Sequence, residues 1–125
     1  KLKFPQPCAA LEGCRCRIYA DRPARCRDFE CALLKSVAEG GTEIPAAFRT
    51  IREAQRRAEK VRRLLRAAGD ADEALALSLR FKRTQRRMES APLSDEAADA
   101  FGELTLAVHD LNLWLRGKFL PAPGD

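Results

Sequence analysis

Residues 47–69 read AFRTIREAQRRAEKVRRLLRAAG. Phe48, Ile51, Ala54, Ala58, Val61, Leu65 and Ala68 recur there at intervals of three and four. That spacing returns a side chain to the same face of an α-helix, so the stretch predicts a long helix with one narrow apolar stripe. Gly69 closes it, because glycine tolerates the left-handed turn just past a helix end. A helix so patterned must lay its stripe on other elements, and the sequence on either side supplies more helices.

Downstream, a second long helix is expected from about Asp72 to Glu89, with Asp70 or Asp72 as its cap. Leu75, Leu79, Lys82 or Arg83, and Arg86 line one side, while Leu77, Phe81 and Met88 widen the apolar surface. Ser90-Ala91-Pro92 breaks it. Ser94 then caps a third helix whose first-turn acids, Asp95 and Glu96, sit at the positive end of the dipole. Its buried face is expected to hold Ala97 or Ala98, Phe101, Leu104, Val108, Leu111 and Leu115, broadened by Leu113 and Trp114. Gly117 ends it, and the Pro- and Gly-rich tail to Asp125 is expected to be loose. Upstream, Cys31, Leu34 and Val37 fall at helical spacing in a short helix stopped by Gly40-Gly41. The fold class expected is therefore mostly α. It is a small helical bundle of one short and three longer helices, behind an N-terminal Cys-rich loop region. The 125 residues make one domain, with the Cys-rich segment at 1–41 and the bundle at 46–117.

Hydrophobic residues at 46% and charged ones at 33% are ordinary for a soluble globular chain. No apolar run approaches the roughly 18 residues that span a bilayer. No basic stretch followed by an apolar one marks a secretion signal, so no membrane partner and a cytoplasmic location are expected. The formal net charge of +5 is unevenly spread. Residues 46–90 carry 13 basic and 6 acidic groups, whereas residues 91–125 carry 2 and 6. A basic middle beside an acidic end suits either helix pairing within the chain or an anionic partner.

All five cysteines lie in residues 8–31, CAALEGCRCRIYADRPARCRDFEC, spaced Cys8-x5-Cys14-x-Cys16-x9-Cys26-x4-Cys31. A concentration of thiols this local is not required by core packing. The odd count, and a remainder able to build a core without cross-links, favour metal over disulfides. Soft thiolates suit tetrahedral zinc, iron, or an iron–sulfur cluster alike. Arg15, Arg17, Arg22, Arg25 and Arg27 stand ready to offset the negative charge of such a site. Around the thiols, Gly13 marks a tight loop and residues 16–19 carry what strand character there is. Asp21 and Pro23 look like the cap and first position of a turn or helix. Tyr19 and Phe29 are expected to pack around the loop, and Arg22 and Arg27 to brace it by donating to carbonyls or carboxylates. Residues 1–7, punctuated by Pro5 and Pro7, are expected to be extended.

The residues Cys8, Leu11, Cys16, Ile18, Tyr19, Arg22, Pro23, Cys26, Arg27, Phe29 and Cys31 follow C-x-x-L and then C-x-I-Y-x-x-R-P-x-x-C-R-x-F-x-C. This resembles the second half of the bacterial cysteine-cluster family described as a zinc- or iron-chelating domain. Some members of that family resemble flagellin lysine methylases, and others carry an iron–sulfur oxidoreductase label. The resemblance spans about a fifth of the chain. It implies a metal site formed by Cys8, Cys16, Cys26 and Cys31. Cys14 matches no family cysteine. The family's upstream C-x-x-C-C run does not occur in these 125 residues.

Other features carry less. His109, the only histidine, is expected to be a half-buried hydrogen-bonding residue on the third helix rather than a ligand. Arg52, Arg56, Arg57, Lys60, Arg63 and Arg66, with Arg80, Lys82, Arg83, Arg86 and Arg87, form a basic face. It has almost no interleaved aromatics, so a solvated face partly paired with the acidic third helix is favoured over nucleic-acid binding. No phosphate-cradling glycine loop, nucleophile elbow or acid–base carboxylate pair is present. The expectation is a metal-binding protein holding zinc or an iron or iron–sulfur centre, with catalysis not expected. Two alternatives stand beside it. One is a redox or methyl-transfer component using that centre. The other is a basic adaptor for nucleic acid or an acidic partner, with a purely structural metal.

Overall fold

The computed structural model describes residues 6–121. It is mostly α, as the periodicity predicts. Two short strands, β1 (Leu11–Glu12) and β2 (Arg15–Cys16), pair antiparallel with Leu11 opposite Cys16. The Gly13-Cys14 turn between them works because Gly13 takes φ 61°, a region a Cβ would disfavour. The strand character therefore falls earlier than residues 16–19, since the glycine turn sets the register. Among the described residues a single 3₁₀ turn follows at Tyr19–Asp21, then five helices: α1 (Ala24–Asp28), α2 (Ala32–Ala38), α3 (Ile44–Ala67), α4 (Leu77–Glu89) and α5 (Asp95–Lys118). Asp21 caps nothing; extended Pro23 precedes α1, and its carbonyl accepts the Cys26 and Arg27 amides. Among the described residues no helix is long and apolar enough to cross a membrane.

The bundle is built on α3 and α5. Trp114 Nε1 donates to the Thr50 carbonyl at 3.1 Å, and Arg57 donates to the Asp110 carbonyl at 3.1 Å. The start of one helix thus meets the end of the other, and the pair runs antiparallel. Val61 and Leu65 from α3 are buried with Leu104, Ala107 and Leu111 from α5. Each large aliphatic side chain so buried stabilises the fold by about 1.5–3 kcal/mol. Phe81 of α4 stacks on Phe101 of α5 with ring centroids 6.1 Å apart, which seats α4 against this core. At the other end of α3 the stripe is open: Phe48 and Ile51 remain exposed beside α2.

Three expectations need correction. The second long helix begins at Leu77, not near Asp72. Asp70 and Asp72 instead turn their carboxylates onto the amides of Asp72 (3.1 Å) and Ala74 (3.3 Å), and these local bonds hold residues 70–76 as a loop. The buried side of α4 is also rotated: Leu79 is 47% exposed, while Arg80 and Thr84 are sealed. An ion pair inside the fold makes that rotation possible, because Arg80 finds Asp70 there. Finally, α5 runs through Gly117 to Lys118, with Phe119 as its C-cap. The extended start and loose tail expected from the prolines lie, for residues 1–5 and 122–125, outside the described residues.

Candidate metal centre

The front of the molecule is organised differently from the bundle. Between residues 6 and 32 no side chain is buried. Its large apolar residues are wide open: Leu11 is 52% exposed, Ile18 42%, Tyr19 63% and Phe29 68%. Every hydrogen bond of residues 6–30 among the described residues stays within the segment. Examples are Leu11 to Cys8 (3.0 Å), Arg17 to Ala10 (2.8 Å) and Cys26 to Pro23 (2.9 Å). The first tie to the bundle is the Ala32 amide on the Phe119 carbonyl at 3.0 Å. Tyr19 and Phe29, expected to pack around the loop, are left largely exposed. Hairpin, 3₁₀ turn and α1 are each too short to hold themselves, and no hydrophobic core holds them together.

Thiols are what this segment has instead. All five cysteines are free, and three of them line one hollow of about 580 Å³. Cys8 reaches it from the stretch before β1, Cys16 from β2 and Cys26 from α1. Ile18, Tyr19, Arg22 and Pro23 complete the wall. The Arg22 guanidinium lies 3.8 Å from the centre of the Tyr19 ring, and its Nε donates to the Tyr19 carbonyl at 2.9 Å. This is the bracing role the sequence suggested, and it fixes a positive charge on the hollow. Cys8 Sγ accepts the Ala10 amide at 3.4 Å.

The other two cysteines sit apart from the hollow. Cys14 is exposed at the tip of the hairpin. Cys31 is the N-cap of α2, its Sγ accepting the Leu34 amide at 3.4 Å. Its side chain lines a separate apolar groove with Leu34, Val37, Ile44, Phe48 and Phe119. Of the four cysteines expected to form one site, the structure brings three to a common surface and sets the fourth against the bundle. The capping role is not among the expectations from the sequence, although a cysteine immediately before a helix occupies the position where Ser, Thr, Asp or Asn usually caps.

The donor set fits zinc or iron in chemistry, being soft and unbridged, with Arg22 on the same hollow. Convergence is incomplete: among the described residues no three His, Cys, Asp or Glu side chains are gathered closely enough to hold a metal ion. His109 lies far along the chain on α5 and is exposed rather than half-buried.

The basic face has mostly local partners. Arg56 and Arg57 share Glu53, Arg62 and Arg66 share Glu59, and Arg80 and Arg83 converge on Asp70. Among the described residues the expected pairing with the acids of α5 is not seen: Arg57 meets that helix at the Asp110 carbonyl and, 4.5 Å from its centre, at the Trp114 ring. Neighbours three or four residues apart on one helix are simply nearer than a second helix. Arg56 and Arg57 hold the Glu53 carboxyl at about 2, below its ordinary 4.5, by hydrogen bonding. Among the described residues Arg52, Lys60, Arg63, Lys82 and Arg86 have no ion-pair partner.

Fold and segment together define a small, mostly α protein with a thiol-bearing front. Compared with known proteins, the chain matches no family model, no curated protein and no solved structure.

Proposed function

We propose that this protein binds a metal ion through the clustered thiolates of residues 8–31, as zinc or as an iron or iron–sulfur centre. One observation carries the reading. A segment of some twenty-five residues, without a single buried side chain, turns three free thiols onto one hollow. Ordering a residue costs about 1–2 kcal/mol of backbone entropy, and here little apolar burial offsets it. A metal–thiolate centre supplies that missing energy, since binding to a site not fully formed beforehand is itself folding free energy. Arg22, on the hollow, and Arg15, Arg17, Arg25 and Arg27, adjacent to the cysteines in sequence, offset the charge of the thiolates. The likeness of these residues to the zinc- or iron-chelating cysteine-cluster family supports the same assignment. Five free thiols suit a reducing compartment such as the cytoplasm.

Metal analysis of protein purified without oxygen tests this directly. A stoichiometric amount of zinc, or a brown iron-containing protein, is the expected result. Protein that carries neither metal, and takes up neither when supplied reduced, sinks the reading.

A further inference from the structure

We propose that the outer face of α3 is a docking surface for double-stranded nucleic acid, held through its phosphates. Arg49, Arg52, Arg56, Lys60 and Arg63 follow one another at intervals of three and four, and all five are exposed. They therefore share one side of the helix, opposite the buried Ala47, Val61 and Leu65. The stripe is a straight row about 21 Å long, already ordered by the bundle behind it. α3 carries eight basic residues and two acidic ones, Glu53 and Glu59. Both acids are engaged, Glu53 by Arg56 and Arg57, and Glu59 by Arg62 and Arg66. Among the described residues this leaves Arg49, Arg52, Lys60 and Arg63 without an ion-pair partner. The acidic helix expected to neutralise the basic face, α5, packs instead on the far side of α3. What remains is a row of cations whose mutual repulsion an anionic polymer relieves. Three of the four unpaired residues are arginines, whose forked donors match a phosphate. The stripe holds no aromatic side chain on which an unpaired base could stack, which favours a duplex over a single strand. Ile44, Phe48 and Ile51, the exposed apolar residues of α3, line the groove beside α2 rather than the stripe, so a membrane surface fits it less well. The stripe lies wholly outside residues 8–31 and does not rest on the metal reading.

A short fluorescent DNA duplex of mixed sequence is the probe, its anisotropy followed as wild-type protein is added between about 50 and 200 mM KCl. Neutralising four or five phosphates gives a slope of log affinity against log salt of about −3.6 to −4.5. Phosphate contacts carry no sequence information, so a duplex of unrelated sequence is expected to bind equally well. R52Q/R63Q is expected to make the slope shallower by about 1.8 and to weaken binding on the order of 60-fold at about 0.1 M salt. K82Q/R86Q removes two exposed and unpaired cations from α4 instead, and is expected to leave slope and affinity close to the wild-type values. Glutamine has nearly the helix propensity of arginine and lysine, and circular dichroism of each variant verifies that the helices persist. Equal weakening by the two pairs assigns the attraction to the net charge of +5 rather than to α3 and overturns the proposal. So does a duplex that fails to bind at about 50 mM salt, a single strand that binds more tightly than the duplex, or protein that ignores the duplex and is retained on phosphatidylserine vesicles.

Discussion

Arg80 Nε donates to Asp70 Oδ1 at 3.2 Å, with both side chains almost wholly withdrawn from water. The same guanidinium donates to the Asp70 carbonyl at 2.7 Å and to Glu73 at 3.1 Å, and Arg83 grips the Asp70 carboxylate from its exposed side. These bonds fix the loop that follows α3 onto α4. Removing one partner of a buried pair leaves the other charge without compensation, which costs about 3–5 kcal/mol. Asp70→Asn should therefore lower unfolding free energy by that amount in urea titrations. Arg80→Met should cost less, because Asp70 keeps Arg83. Equal losses in the two variants would contradict this account.

The acid side of the stability profile follows from the same carboxylates. Burial pushes the Asp70 carboxyl up, but Arg83, the Asp72 amide and Arg80 outweigh it and hold it below its ordinary 3.8. Glu53 is held at about 2 by Arg56 and Arg57, and Glu59 and Glu73 lie below 4.5 through Arg66. A carboxyl lowered on folding contributes stability that is full above its unfolded value and is lost as pH falls through its folded value. Urea midpoints should thus be level above about pH 5 and decline between roughly pH 4.5 and 2. Asp70→Asn should make that decline shallower.

Thr84 is fully buried, and its Oγ1 has no hydrogen-bond partner. A buried polar atom left unsatisfied costs about 1–3 kcal/mol, and valine has nearly the same outline without the hydroxyl. Thr84→Val should raise unfolding free energy, by about 1 kcal/mol after allowing for small repacking. A loss of stability would mean that the hydroxyl has a partner in solution.

What was legible in the sequence was whatever repetition could reveal. The stripe through Val61 and Leu65, the Ser94 cap (Ala97 amide to Ser94 Oγ, 3.1 Å) and the face through Leu104 and Leu111 are written in apolar spacing and cap chemistry. The start and rotation of α4 were not. They depend on Arg80 choosing Asp70 ten residues upstream, and a charged residue in a buried position inverts the usual pattern. The cysteine concentration was visible at once. Its division between a hollow and a helix cap was not, because Cys31 differs from its neighbours only in where the chain bends around it.

Metal should govern the front segment and leave the bundle alone. Residues 6–30 have no buried side chain and no hydrogen bond to the bundle among the described residues, whereas α3 and α5 share a core of their own. Their opening free energies should therefore be independent, with the segment at the low end. In amide exchange followed residue by residue, a strong chelator should release the amides of Leu11, Arg17, Cys26 and Arg27, whose bonds stay within the segment. The central amides of α3 and α5 should keep their protection. Alkylation read by mass spectrometry gives an orthogonal check: Cys14, exposed at the hairpin tip, should react at the same rate with and without metal, while Cys8, Cys16 and Cys26 should be shielded only when metal is present. Exchange in the segment that ignores the chelator would show that something other than metal orders it. Loss of protection throughout α3 and α5 would show that the two parts fold as one cooperative unit.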